Sequence, residues 1–152
     1  MKIGIVVYSQ TGNTLSVAEK MEEHLTKEGH TVRLERVVPV DPKAVKEIQL
    51  ENSPEVDSYE LLIFGAPVQA FSLSAVMQTY LKQLPDLGGK TVCCYVTQQL
   101  KKAWMGGSRS LRQMQAVCAA KGAKLSKTGD IHWSDKKRDE QIDSLIRDFT
   151  AL

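Results

Sequence analysis

The sequence predicts an α/β fold in which a parallel β-sheet is covered by helices on both faces. Strand-like and helix-like patterns alternate from one end of the chain to the other, an order that produces β-α-β units with right-handed crossovers. Residues 3–7 and 61–64 are continuously apolar, as strands that are covered on both faces should be. The chain has 152 residues, of which 42% are hydrophobic and 25% charged, so residues 1–152 are expected to form one globular domain.

Each predicted element rests on its own local pattern. Strands are expected at residues 2–8, 31–37, 61–66, 91–97 and 124–132. Between and after them, amphipathic helices are expected at residues 14–27, 73–84, 108–121 and 142–149. In the second of these helices, apolar side chains such as Leu73, Val76 and Met77 recur at every third or fourth position. A shorter and weaker helix is predicted at residues 42–50.

The segment between the first strand and the first helix has the composition of a phosphate-binding loop. It consists of Ser9, Gln10, Thr11, Gly12, Asn13 and Thr14. A glycine lets the backbone turn tightly, and the first N–H groups of a helix lack intrahelical partners and lie at the positive end of its dipole. Three hydroxyl groups add further donors. A helix N-cap alone needs only one hydroxyl, so the segment favours phosphate binding by neutral donors.

Two further loops are expected at the same edge of the sheet, because they follow the third and fourth strands. The candidate ligand-binding residues of the first loop are Pro67, Val68, Gln69, Ala70 and Phe71. Those of the second are Thr97, Gln98, Gln99, Trp104, Gly106 and Gly107. Amides at the end of a buried strand, together with an aromatic in each loop, suit a planar ring with polar edges. Each aromatic can equally pack against its own helix.

Charge and cysteine content argue against several other classes of protein. The net charge of +2 combines 7 basic against 11 acidic residues in the first 76 positions with 13 against 7 in the rest. The basic residues are spread over several elements, whereas a nucleic-acid site needs a tighter stripe with aromatics. Cys93, Cys94 and Cys118 lack metal-ligand spacing and are expected to be buried, reduced thiols.

No catalytic side chain and no metal ligand is assigned from the sequence. His24 and His30 are expected near the end of the first helix, away from the loops. No run approaches the roughly 20 apolar residues that span a bilayer, so no membrane insertion is expected. The N-terminal segment lacks a small-residue cleavage site and looks like a first strand, which predicts a cytoplasmic protein.

The strand, the sequence Ser-Gln-Thr-Gly-Asn-Thr and the following helix together resemble the FMN phosphate loop of flavodoxins. The strand count, the chain length and the positions of the other two loops agree over essentially the whole chain. The resemblance implies a flavodoxin-like three-layer sandwich of the short-chain form, with strand order 2-1-3-4-5 and noncovalently bound FMN. It implies that residues 9–14 hold the phosphate, and that residues 67–71 and 97–107 lie against opposite sides of the isoalloxazine.

Two features differ from the family pattern. Flavodoxins are typically strongly acidic, but this chain is mildly basic and carries Lys101 and Lys102 in the third loop. Many flavodoxins have a bulky residue followed by glycine in the loop after the third strand, where this chain has Gln69 and Ala70. Alanine disfavours the positive φ that glycine adopts.

The resemblance implies an electron carrier that works with redox partner proteins or with a small-molecule donor or acceptor, as a monomer or weak dimer. Two alternatives stay open. One is an NAD(P)H-dependent flavin or quinone reductase on the same fold, in which Lys101, Lys102, Arg109 and Arg112 attract a dinucleotide phosphate. The other is a non-redox module that holds a phosphorylated ligand.

Overall fold

The computed structural model describes residues 1–99 and 106–151. The strands are β1 (Lys2–Val7), β2 (Thr31–Arg36), β3 (Val38–Pro39), β4 (Leu50–Asn52), β5 (Leu61–Gln69), β6 (Ser72–Leu73), β7 (Thr91–Gln98) and β8 (Lys124–His132). The helices are α1 (Asn13–Lys27), α2 (Ala75–Gln83), α3 (Gly107–Ala120) and α4 (Arg138–Thr150). Within the described ranges, none of these helices combines the length and the apolar character needed to cross a membrane.

Five of the strands form a parallel sheet in the order β2-β1-β5-β7-β8. Counted along the chain, this is the predicted order 2-1-3-4-5, which is therefore confirmed. The central strands β1 and β5 begin in register, since Ile3 pairs with Leu61. Because all five run the same way, the carboxyl ends of β1, β5 and β7 lie together at one edge of the sheet, which positions the site described below.

The core is divided by the sheet into two apolar clusters, and this division gives the three layers. On one face, Ile3, Ile5 and Val7 of β1 pack with residues of α1 and α4. On the other face, Val6 and the alternate residues of β5 pack with α2 and α3. Successive side chains of a strand point to opposite faces, so a continuously apolar strand fills both clusters. Burying each large aliphatic or aromatic side chain contributes about 1.5–3 kcal/mol.

The helix predicted at residues 42–50 is wrong. These residues form turns and bends, and Leu50 begins β4 instead. Asp41 Oδ1 accepts a hydrogen bond from the backbone N–H of Lys43 at 2.9 Å, so the side chain competes for the amide. Val45 is 77% exposed, and an isolated helix of this length without a packed apolar face is marginal in water.

Three short strands were not predicted. β3 and β4 pair antiparallel as a separate two-stranded sheet. β5 continues three residues beyond the predicted end at Ala66 and pairs antiparallel with β6. The loop expected after the third strand is therefore largely a β-hairpin.

Candidate functional site

The segment before α1 forms a tight turn around the hydroxyl of Ser9. Gly12 is the N-cap of α1 and has φ 93, a conformation that a side chain disfavours. Ser9 Oγ accepts hydrogen bonds from the N–H groups of Gly12 and Leu15, both at 3.2 Å. The hydroxyl proton of Ser9 is then left for another acceptor. The N–H groups of Asn13 and Thr14 make no bond to another described residue, and they lie at the positive end of the helix.

Thr11 and Thr14 have different environments although the sequence treats them alike. Thr11 is exposed, so its hydroxyl is available to a ligand. Thr14 is only 1% exposed, and its Oγ1 lies 2.7 Å from Oγ1 of Thr97 at the end of β7. This bond links the first loop to the third. Thr14 therefore stabilises the fold and is also a candidate ligand-binding residue.

A buried tyrosine of β7 also holds the turn between β1 and α1 in place. The hydroxyl of Tyr95 donates to the carbonyl of Thr14 at 2.7 Å. The tyrosine ring occupies the space beside Gly65, where any side chain would overlap it. Burial raises the pKa of Tyr95 well above its ordinary value, so the phenol stays neutral and keeps its donor proton.

The second predicted loop is a hairpin with a strained tip. Val68 and Gln69 pair with Leu73 and Ser72. The two residues between them, Ala70 and Phe71, have φ 50 and 61, as in a type I′ turn. That turn normally takes asparagine and glycine, and a non-glycine residue at positive φ costs roughly 1–2 kcal/mol. Alanine therefore does adopt the positive φ expected to be unfavourable at this position.

The hairpin is held against the start of α3. Gln113 Oε1 accepts hydrogen bonds from Ser72 Oγ at 3.0 Å and from the N–H of Leu73 at 2.9 Å. Gly106, the N-cap of α3, has φ 120, and a Cβ placed there would lie 2.7 Å from Cα of Phe71. These contacts fix the backbone of the hairpin, while the side chain of Phe71 is 60% exposed.

The three predicted segments converge on one cavity of about 190 Å³ at the carboxyl edge of the sheet. Its walls are Gln10, Thr11, Asn13, Pro67, Val68, Gln69, Thr97, Gln98 and Gln99. Gln69 Nε2 donates to Gln10 Oε1 at 2.6 Å. The same two glutamines also line a larger cavity of about 620 Å³, between α2 and residues 42–45. The glutamine pair therefore lies on the boundary of two adjoining cavities.

A polar cluster of Gln98, Asp130 and His132 lies at the ends of β7 and β8, beside the smaller cavity. It was not predicted from the sequence. Gln98 is 5% exposed, and its Nε2 donates to both carboxylate oxygens of Asp130, at 2.7 and 2.9 Å. His132 Nε2 lies 3.4 Å from Asp130 Oδ2. Among the described residues, Gln98 Oε1 is the one buried side-chain polar atom that lacks a hydrogen-bond partner. The available signal was the alternation of Asp130 and His132 on β8, next to the end of β7.

Some residues singled out from the sequence lie within the described ranges, and others do not. Trp104, Lys101 and Lys102 lie outside the described residues. Gly107 packs on the cluster behind the cavity, since a side chain there would overlap Gln98 Nε2 and Asp130 Oδ2. The three cysteines are buried free thiols, as predicted. No group suited to a metal ion occurs in the described part of the chain.

No family model and no curated protein matches this chain. Many solved structures do. The oxidised Flavodoxin 2 from Bacillus cereus is 20% identical, with a TM-score of 0.68 over 98% of this chain and 97% of that one. A flavodoxin from Streptococcus pneumonia is 16% identical, with a TM-score of 0.68 over 99% of both chains.

A flavoprotein from Lactobacillus acidophilus, crystallised in complex with FMN, is 18% identical. Its TM-score is 0.64 over 94% of this chain and 97% of that one. Identities this low establish the architecture and leave the chemistry to be argued from the residues themselves. The chain has the flavodoxin-like fold.

Proposed function

We propose that this protein binds FMN noncovalently and carries electrons in the manner of a flavodoxin. The observation that carries the proposal is the convergence of three separate loops on one cavity at the carboxyl edge of the sheet. Solved structures with the same fold are flavodoxins and an FMN complex, which supports this reading. FMN, when bound, supplies the redox chemistry, and the protein binds it, orients it and controls its exposure.

The residues present fit the two ends of FMN. At one end, the exposed hydroxyl of Thr11, the free N–H groups in the first turn of α1 and the left-handed Gly12 suit a phosphate met by neutral donors and a helix dipole. At the other end, Val68 offers apolar surface, while Gln98 and Gln99 offer amide groups to a polar ring edge. No side-chain acid, base or nucleophile is needed for this role.

Flavin titration of the purified apoprotein tests the proposal. FMN should bind at a 1:1 ratio, and riboflavin should bind at least about a hundredfold more weakly. Losing two charge-assisted hydrogen bonds of roughly 1.5 kcal/mol each costs about 3 kcal/mol. Quenching of flavin fluorescence measures both dissociation constants. Equal affinities would contradict the phosphate-loop assignment, and no binding of FMN would contradict the proposed function.

A second candidate, an NAD(P)H-dependent flavin or quinone reductase, is favoured by the charge near the hairpin. Arg109 and Arg112 are exposed on the first turns of α3, the helix whose Gln113 holds the hairpin. An anionic dinucleotide would be attracted to such a surface. Oxidation of NADPH by the FMN-loaded protein in the presence of a quinone separates this enzyme from a carrier, which would show no such turnover.

A further inference from the structure

We infer that Tyr95 is a positioning residue for the phosphate end of the site, and that its hydroxyl contributes to the preference for FMN over riboflavin. The hydroxyl holds the first turn of α1 so that the free N–H groups of that turn are directed together at one anion. This inference deepens the proposed function and rests on it. Tyr95 is completely buried, so it acts on the ligand through the turn.

The ring of Tyr95 reaches across the sheet from β7 to α1. Tyr95 pairs in register with Gly65 of β5. A Cβ placed at Gly65 would lie 2.3 Å from Cζ of the ring and 2.6 Å from its hydroxyl oxygen, so the hydroxyl end of the ring lies over that glycine. An edge contact with Phe149 of α4, with 6.4 Å between the ring centroids, supports the ring in this position. Glycine at position 65 therefore leaves the space through which the tyrosine reaches the helix.

The peptide group between Thr14 and Leu15 is held at both of its ends. Its carbonyl oxygen accepts from the Tyr95 hydroxyl at 2.7 Å, and its N–H donates to Ser9 Oγ at 3.2 Å. A carbonyl only accepts and an amide N–H only donates, so each bond has one possible direction. Because a peptide group is planar, the two bonds together set the orientation of the first turn of α1 relative to β1 and β7.

The orientation of this turn matters because its donors are neutral. Residues 9–14 contain no lysine or arginine, so this segment can meet a phosphate only with neutral donors and the helix dipole. A hydrogen bond weakens steeply as its angle departs from linear. A small rotation of the turn would therefore weaken all of its bonds to the anion at once, and the Tyr95 hydroxyl opposes that rotation.

The ring end of the site is supported by other contacts. Val68 and Gln69 of the cavity wall belong to the hairpin, which Gln113 of α3 holds. Loss of the Tyr95 hydroxyl should consequently weaken the binding of FMN, which has a phosphate, and leave that of riboflavin, which lacks one, nearly unchanged. A hydroxyl that only stabilised the core would not distinguish the two flavins.

Tyr95→Phe tests the inference, because it removes the hydroxyl and keeps the ring. The quantity to measure is the ratio of the riboflavin dissociation constant to the FMN dissociation constant, obtained by quenching of flavin fluorescence. We expect Tyr95→Phe to lower this ratio about tenfold through weaker binding of FMN.

Tyr80→Phe is the matched control. Tyr80 is 1% exposed, and its hydroxyl likewise donates to a backbone carbonyl, that of Pro54, at 2.6 Å. It lies on α2, on the opposite face of the sheet from Tyr95. Both variants should be less stable in urea than the unmodified protein, but Tyr80→Phe should keep the ratio of dissociation constants.

The inference is overturned if Tyr95→Phe keeps the ratio, or if Tyr80→Phe lowers it equally, and FMN binding is then left intact. If the unmodified protein binds no FMN, the proposed function fails and the inference fails with it. Equal affinities of the unmodified protein for FMN and riboflavin would remove the phosphate loop, and with it the role of Tyr95.

A measurement on the unmodified protein covers the case in which Tyr95→Phe fails to fold. Coupling between two binding events is reciprocal, so a bound phosphate should in turn hold the Tyr95 hydroxyl bond closed. With tyrosine labelled with ¹³C at Cζ, NMR measures how fast each buried hydroxyl exchanges with solvent. FMN should slow the exchange of Tyr95, relative to that of Tyr80, about tenfold more than riboflavin does. Equal effects of the two flavins would overturn the inference.

Discussion

Ser9 and Gly12 act on the first loop in different ways. Ser9 accepts two N–H groups of the turn and keeps its own proton for a further acceptor. Gly12 donates its N–H to Ser9 and supplies the left-handed backbone conformation, while a Cβ placed there would have nothing within 4 Å. The effect of a substitution at Gly12 should therefore come from φ alone.

Gly12→Ala tests this point, and Gly29→Ala is its matched control. Both glycines have φ 93 with nothing within 4 Å of the added Cβ, but Gly29 lies at the other end of α1. Each substitution should lower the free energy of unfolding by about 1 kcal/mol, measured by urea denaturation of the apoprotein. Gly12→Ala alone should weaken FMN binding. Equal FMN affinities for the two variants would move the phosphate away from this loop.

The two threonines of the loop should respond differently to substitution by alanine. Thr11→Ala removes an exposed hydroxyl, so FMN affinity should fall about tenfold with no change in apoprotein stability. Thr14→Ala leaves Thr97 Oγ1 without its buried partner, so the free energy of unfolding should also fall by about 1 kcal/mol. Urea denaturation and flavin titration of both variants make the comparison. An unchanged stability in Thr14→Ala would mean that the threonine pair contributes nothing to the fold.

At the scale of the element, the sequence identified the sheet and the four long helices better than the connections between them. Strands such as β1 are apolar throughout, and helices such as α2 have a clear period, so local pattern and burial agree. The site was predictable as far as it consists of strand ends, because Thr97 and Gln98 directly follow a buried run. The hairpin after β5 was missed because Ala70 and Phe71 carry none of the turn signals, which are chiefly asparagine and glycine.

The Gln98–Asp130 cluster was missed for another reason. Asp130 is 32 residues away from Gln98, and its role appears only when β7 and β8 are paired in register. Likewise, the predicted helix at residues 42–50 could not be rejected from its own sequence, since what it lacks is a surface to pack against.

The hairpin tip gives a prediction at this scale. Ala70→Gly should raise the free energy of unfolding by about 0.5–1 kcal/mol, because relief of the strain at φ 50 exceeds the extra entropy that glycine has in the unfolded chain. Ala70→Val should lower it, since a β-branched residue tolerates positive φ even less. Urea denaturation of both variants gives the order of stabilities. If valine were as stable as glycine, the tip would not hold a left-handed conformation.

At the scale of the whole molecule, Tyr59 connects the edge of the sheet to its core. Its hydroxyl donates to Glu35 Oε2 on β2 at 2.6 Å, and its ring fills the space beside Gly4. Burial, with Glu35 adding to it, raises the pKa of Tyr59 to about 12. The folded protein therefore keeps a proton that the unfolded chain loses near pH 10.

Stability should consequently fall as the pH rises from about 10 to about 12. Below pH 10 both states hold the proton, and the contribution of Tyr59 is fully present. Tyr59→Phe removes this titration along with the bond to Glu35, so it should be less stable at pH 8 but should lose less stability between pH 10 and 12. Urea midpoints at the three pH values measure both effects. Parallel pH profiles for the two proteins would contradict the raised pKa.

Charge is also unevenly distributed over the whole molecule. Residues 87–129 contain eight lysines and arginines and no aspartate or glutamate, and they include α3 beside the hairpin. An anionic reactant approaching the cavity from this side should be attracted. Reoxidation of the reduced, FMN-loaded protein by ferricyanide should therefore slow as salt increases from about 10 mM to 500 mM, because the Debye length shrinks from about 30 Å to a few ångströms.

Arg109→Glu with Arg112→Glu should reverse that salt dependence, while FMN affinity changes little. The control is Lys20→Glu with Arg147→Glu, which changes the net charge equally but lies on α1 and α4, on the opposite face of the sheet. The control places its new charges on the other face of the sheet, so it should lower the rate less than the α3 pair does, most clearly at moderate ionic strength, where the Debye length is about 10 Å. If both pairs alter the ferricyanide rate equally, net charge alone steers the reactant, and α3 is not the face by which electrons enter or leave.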